Sequence, residues 1–282
     1  MTPSLDVVTK AVLSWILDKI NNGKRVAMAS VIEISGSVPG KPGARLAVSS
    51  DGGRRGTIGG AGLELKVENT LLEMLKDKNN YSRKGGNVEK FLLYKDGKNE
   101  KVTALDSLCG GTVTIAMEVL EPMPNLLLVG GGHVGRSISK VCENLGWSHS
   151  VFDVRPEYCN EVLYPNAEDL FSTTVEDFLD SEDSSSIERF SDILLLSHDW
   201  NIDEEMMIGI LKIRNERVRP RIGAIGSNKK WSSFRKSAVS SGISEDFIDS
   251  VRCPIGLDIG AESPEEIALA VCSEILSLDR IC

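Results

Sequence analysis

Residues 126–135 read Leu126-Leu127-Leu128-Val129-Gly130-Gly131-Gly132-His133-Val134-Gly135, an aliphatic run that turns through glycines toward a helical pattern. The aliphatic run predicts a short parallel strand buried on both faces. The turn has G-x-G-x-x-G spacing: Gly130 makes the tight turn, Gly132 lets backbone approach a pyrophosphate, and Gly135 lets the helix pack against the strand. Val151 to Asp153 predicts the next strand. An acid at its end accepts from a ribose hydroxyl, which favours NAD-type over NADP-type binding, while the adjacent Arg155 weakens the distinction. The competing reading is a Rossmann fold that keeps the turn for packing alone. Further apolar runs at Ile193 to Leu196 and Ile222 to Ile225, with a shorter one at Phe171 to Thr173, alternate with helical patterns at Val134 to Leu145, Asp203 to Ile213 and Pro264 to Leu278. That alternation predicts a parallel Rossmann-like sheet.

Upstream the rhythm differs. Leu5, Val8, Val12, Ile16 and Ile20 predict an amphipathic helix, and Val26 to Ile34 a strand. Ser35 to Gly43 is too rich in glycine and proline for either element. A strand at Arg45 to Val48 and a turn at Asp51 to Gly53 precede a glycine-rich stretch, Gly56 to Gly62, that runs into a helix with Leu63, Val67, Leu71 and Leu75 on one face. Strands are expected at Val88 to Tyr94 and Val113 to Val119. Two prolines in Glu121-Pro122-Met123-Pro124 mark a boundary. The expected fold is α/β, a mixed α/β domain over 1–121 followed by a Rossmann-like domain over 122–282.

Composition narrows the classes of function. The 282 residues are 41% hydrophobic and 26% charged, a balance that builds a core. A net charge of -9 argues against a nucleic-acid footprint. No apolar run is long enough to span a membrane and the start lacks a signal-peptide pattern, so a cytoplasmic protein is expected. The six cysteines contain no C-x-x-C pair, which suggests neither a disulfide framework nor a structural zinc site.

Several places carry candidate chemistry, each with a bland alternative. Cys109, before Gly110 and Gly111, is either an exposed thiol able to ligate a metal or carry sulfur, or a small buried residue at a strand start. Lys41, Arg45, Arg54 and Arg55 bring cations beside Gly59 and Gly60 as an anion pocket, or form a solvated strand edge. Glu64 either meets a ligand or favours its helix N-terminus. His198, Asp199 and Asp203 follow the third strand at the carboxyl edge where open α/β sheets bind ligands; they do acid/base work or hold a divalent ion, or Asp203 is simply an acid at a helix start. Ser227 binds or caps, and Lys229 and Lys230 steady a phosphate or face solvent.

Taken together, Gly36-Ser37 through Glu64, Cys109-Gly110-Gly111, the glycine turn, His198-Asp199, Gly226 to Lys230 and Pro254-Ile255-Gly256-Leu257-Asp258-Ile259-Gly260-Ala261 resemble the XdhC/CoxI family of xanthine dehydrogenase accessory proteins. The last phrase, followed by Ser263-Pro264-Glu265-Glu266, is the most specific element. The resemblance implies a chaperone that binds the molybdenum cofactor (molybdopterin), supports its sulfuration with a cysteine desulfurase, and delivers it to a molybdenum hydroxylase client of the xanthine dehydrogenase type. It implies an accessory role rather than catalysis, with Cys109 nearest the metal. Gly59, Gly60, Glu64, Lys41 and Arg45 would hold the pterin phosphate, and the turn from Gly130 through His133 to Gly135, with Asp153, would hold NAD, another nucleotide or part of the cofactor. The chain departs from the family pattern twice. Ala61-Gly62 stands where members commonly have a glycine and a second thiol, and Trp200 stands where a histidine is frequent. The alternative reading is an NAD-dependent oxidoreductase using His198 and Asp199; a third is sulfur transfer through a Cys109 persulfide. A homodimer is the expected assembly, since symmetric dimers are the commonest.

Overall fold

Val12 and Ile16 lay one face of helix α1 (Leu5–Asn21) on an apolar patch that includes Val26 and Ala47. Those two belong to strands β1 (Val26–Gly36) and β2 (Arg45–Ser49). The computed structural model describes residues 5–76, 86–93, 103–104, 110–214 and 219–281. It divides into two units, Met1–Pro122 and Met123–Cys282.

In the first unit, β3 (Arg54–Thr57) returns antiparallel on β2 through the turn at Asp51 to Gly53. Sequence alone reads no strand there, because Arg54 and Arg55 show no apolar alternation. Helix α2 (Ala61–Lys76) follows, then β4 (Gly86–Leu92), β5 (Thr103–Ala104) and β6 (Gly111–Leu120). The sheet order is β3-β2-β1-β6-β4-β5, antiparallel except for the β4/β5 pair. One face of α2, with Leu63, Val67, Leu71 and Met74, packs against Ala29, Leu46, Ile115 and Met117 of the sheet.

The second unit runs β7 (Asn125–Val129), α3 (His133–Leu145), β8 (Ser148–Phe152), β9 (Leu170–Phe171), α4 (Val175–Asp180), β10 (Asp192–Leu195), α5 (Trp200–Arg214), β11 (Arg221–Ala224), α6 (Asn228–Ser240), α7 (Glu245–Asp249) and α8 (Pro264–Ile281). Its sheet has the order β11-β10-β7-β8-β9 and is parallel throughout. Leu127 and Val129 pack with Ile193, Met207 and Phe234 on one face, whereas Leu126 and Leu128 pack with Ile138, Val271 and Ile275 on the other. An unbroken aliphatic strand therefore suits β7, since both of its faces are core. Helix α8 starts where expected: Ser263 and Glu266 exchange side-chain to amide hydrogen bonds as a capping box.

Two buried carboxylates tie this unit together. Asp192 is fully buried at the start of β10 and accepts from Arg221 at 2.7 and 2.9 Å and from Arg252 at 3.0 Å. Arg252 also pairs with Glu274 of α8, whose other oxygen accepts from the Gly256 amide. The phrase Pro254 to Ala261 is thus anchored to sheet and helix at its first residues, with Ile255 filling the space beside Gly223. Asp203 is likewise fully buried; it accepts from the Ser197 amide at 3.0 Å and the Lys230 ammonium at 2.8 Å.

Each carboxylate yields an expected outcome. Asp192→Ala leaves the pairing of two partly buried guanidinium groups incomplete, and urea denaturation should show a loss of roughly 3 to 5 kcal/mol. For Asp203, burial outweighs the help of Lys230 and the Ser197 amide and pushes the carboxyl up from 3.8 to about 6. Between these values the folded chain holds a proton that the unfolded chain has released. This group's contribution to stability therefore falls as pH rises from about 4 to about 6, then levels off, by on the order of 3 kcal/mol. Unfolding free energies of wild type, followed across that range, should fall by this amount relative to those of Asp203→Asn, which lacks the component.

Candidate functional site

In the first unit three loops meet at one end of the sheet. The register of β1 and β6 sets Gly36 opposite Gly111, and the Ser37 amide donates to the Gly110 carbonyl at 3.0 Å. The loop then passes through Pro39, whose carbonyl lies against Gly59 so closely that a Cβ there would stand 2.6 Å from the oxygen. Gly59 also has φ +80°, a left-handed conformation that glycine adopts without strain. The sequence-derived positions Gly59, Gly60, Gly110 and Gly111 are thus gathered around the stretch from Gly36 to Gly40. Cys109 lies outside the described residues.

Glu64 holds this end together. One of its oxygens accepts from the Ile58 amide at 3.2 Å, the Gly59 amide at 3.0 Å and the Thr57 hydroxyl, and the other from Arg54 at 2.7 Å. Burial pushes its carboxyl up, but Thr57, Gly59 and Arg54 together hold it below the ordinary carboxylate range. Its partners are those of an internal anchor for the glycine loop. Arg45 likewise turns inward, to the Gly43 carbonyl at 3.1 Å and to Thr9. Lys41 is exposed on the loop, and Ala61 and Gly62 are exposed at the start of α2. These leave a cation and a helix N-terminus facing solvent at the same end.

In the second unit the glycine turn sits where the crossovers from β7 and β10 diverge. Gly130 has φ +121°, and a Cβ there would lie 2.6 to 2.8 Å from the backbone of Leu196 and Ser197. Gly135 meets the Gly130 carbonyl in the same fashion, which brings α3 onto the strand. Gly132, just before α3, is open, and His133 is exposed. The hydroxyl of Tyr164 lies buried near Gly135 without a protein partner.

Asp153 is 4% exposed, and its carboxylate is fully engaged. One oxygen accepts from the Arg155 amide at 3.0 Å and its Nε at 2.9 Å; the other accepts from the Gly131 amide at 2.9 Å and Arg155 Nη2 at 2.8 Å. Burial raises this carboxyl, and Arg155 with the Gly131 amide more than reverses the effect. Arg155 in turn stacks on the ring of Tyr158 at 4.0 Å. Tyr158 is a residue that sequence reading passed over; its only signal was a place three residues beyond an arginine that follows the strand-end acid.

At the carboxyl edge, His198 is exposed, and Asp199 accepts from the Asn201 amide at 2.9 Å, which starts α5 at Trp200 rather than at Asp203. Ser227 caps α6, accepting from the Lys230 amide at 3.4 Å. The Lys230 ammonium points inward, to Asp203 and to the Ile225 carbonyl at 3.1 Å. Of the two readings for Ser227, Lys230 and Asp203, the observed partners are therefore internal ones. No cluster of three or more histidine, cysteine or acidic side chains able to hold a metal ion exists among the described residues. Among the same residues no helix is long and apolar enough to cross a membrane.

Comparison with known proteins places this geometry in a family. The XdhC Rossmann domain matches residues 126–275, and the XdhC and CoxI family matches residues 20–82. The YqeB protein of Escherichia coli is 30% identical over 252 residues, covering 89% of this chain and 43% of its own length. A probable xanthine dehydrogenase subunit from Bacillus subtilis is 30% identical over 167 residues, 58% of this chain and 46% of its own. The chain thus spans less than half the length of these two relatives. The molybdenum cofactor insertion chaperone PaoD of Escherichia coli is 22% identical over 295 residues, with 95% of this chain and 88% of PaoD covered. A two-unit chain whose Rossmann domain and glycine-rich first unit both match in order belongs to the XdhC and CoxI family.

Proposed function

We propose that this chain binds the molybdenum cofactor and assists its insertion into a molybdenum hydroxylase of the xanthine dehydrogenase type. The observation that carries this reading is the meeting of the loops at Gly36 to Lys41, Thr57 to Gly60 and Gly110-Gly111 at one end of the first sheet. The donors there suit the phosphate end of a pterin: the exposed Lys41 ammonium, and the α2 N-terminus at Ala61 and Gly62. Glu64 acts as the brace that keeps the Gly59 amide in place, and contributes no free carboxylate. Cys109, next in sequence to Gly110, supplies the thiol for the metal end. The bound cofactor would bring the oxygen- and sulfur-ligand chemistry that the client enzyme uses.

Within this reading the chain holds and hands over; it does not turn over a substrate. A cysteine desulfurase supplies the sulfur, and the client accepts the finished group. Similarity to PaoD along most of both chains supports the role, and the glycine loops support the location.

Anaerobic equilibrium binding of molybdenum cofactor tests it. Wild type should bind saturably. Cys109→Ser and Lys41→Ala should each weaken binding about tenfold or more, equivalent to about 1.4 kcal/mol, and Cys109→Ser should lose the larger share of apo-hydroxylase reconstitution. A folded wild-type chain that fails to bind the cofactor, or binding indifferent to both substitutions, would sink the reading.

A further inference from the structure

The Rossmann turn of the second unit has the spacing of a dinucleotide site, yet its geometry departs from one at the acid that would read the ribose. Recognition of a ribose diol needs a carboxylate with lone pairs to accept from it. A carboxylate offers about four acceptor positions. In Asp153 these meet four donors: the Arg155 amide, its Nε and its Nη2, and the Gly131 amide, all at 2.8 to 3.0 Å. The side chain is 3% exposed, so no ribose hydroxyl reaches it without displacing one of these bonds. The Gly131 amide, which faces the acid, is removed from any pyrophosphate by the same bond. On the other side of Gly131 stands the Tyr158 carbonyl, 1.9 Å from where a Cβ would be.

We infer that Arg155 is the specificity-determining residue of this turn: it fills the ribose subsite from within, so that the domain takes neither NAD-type nor NADP-type dinucleotides through Asp153. The guanidinium is held on three sides, by both Asp153 oxygens and by the Tyr158 ring at 4.0 Å. Its charge is balanced by the carboxylate it grips, so the pair presents no net cation to a 2′-phosphate either. Charge-assisted, bidentate contacts of this kind are the strong class of hydrogen bond. A ligand that simply arrives at the turn has to break that grip before Asp153 becomes an acceptor. The inference concerns the second unit alone and stands apart from cofactor binding at the first.

The test is fluorescence titration of the full chain with NADH and with NADPH. Wild type should give no saturation for either up to about 1 mM. Arg155→Ala, at a partly exposed position, frees two acceptor positions on Asp153, and its NADH titration should saturate; adding Asp153→Asn to it should abolish that gain. Thermal melts accompany each protein, so that a titration is read only on folded chains. In wild type the Gly131 amide should be slow to exchange with solvent, unchanged by NADH, and should lose protection in Asp153→Ala, which removes the accepting oxygen. Saturable NADH binding by wild type that Asp153→Asn weakens tenfold would overturn the inference. Saturable NADPH binding by wild type that Arg155→Ala abolishes would overturn it as well. A folded Arg155→Ala chain that gains nothing would overturn the assignment to Arg155.

Discussion

A parallel sheet covered on both faces shuts the backbone at its strand ends away from water, and each amide stranded there needs a partner within the protein. In the second unit two buried aspartates meet that need, and a third ties strand to strand. Asp153 takes the Gly131 amide after β7, Asp203 takes the Ser197 amide after β10, and Asp192 fastens β10 to β11 and to the stretch leading into α8. Each aspartate carries at least one basic partner, Arg155, Lys230, or Arg221 with Arg252, because a buried carboxylate without one is too costly to keep ionised. The loops that a ligand would approach are thus fixed by charges that lie behind them.

The first unit uses the same device at Glu64, with a longer side chain. Glu64 reaches from the first turn of α2 back to the amides of Ile58 and Gly59 and takes Arg54 as its cation. A glycine-rich loop has many accessible conformations, and ordering it carries an entropic cost. Three hydrogen bonds to one carboxylate oxygen confine that loop beside Pro39. An ordered loop of this kind is what a binding site requires, since a ligand then need not supply the ordering energy itself.

Much of the fold was legible in the chain. The run Leu126 to Val129 and its companions carry the parallel sheet, because burial on two faces demands continuous apolar sequence. The alternation in Val113 to Met117 marks a half-buried strand, as observed in β6. β3 escaped because its four residues, Arg54-Arg55-Gly56-Thr57, pair through backbone and carry no apolar rhythm. At the sites, sequence located the polar residues but not their partners. Asp153, Glu64 and Lys230 all stand near glycine loops, and spacing alone cannot say whether such a group faces a ligand or turns back on its own backbone. That choice depends on Thr57 and Asp203, neighbours in space whose pairing no short motif encodes, and on Arg155, two residues on in sequence, whose turn back onto Asp153 spacing does not fix.

Gly223 of β11 also forms a parallel bridge with Arg252, ahead of the Pro254 to Ala261 phrase. Residues 251–255 run alongside β11, with the Ala224 amide donating to the Arg252 carbonyl and the Ile255 amide donating to the Ala224 carbonyl. One margin of the second sheet is therefore already capped by its own chain. The opposite margin, β9, is two residues long, and in the first sheet β5 is equally short while β3 carries Arg54 and Arg55. Capped, abbreviated and charged margins are the features by which β proteins resist joining edge to edge. Among the described residues, the strand margins thus resist edge-to-edge joining, and helix faces and loops are the surfaces left for association.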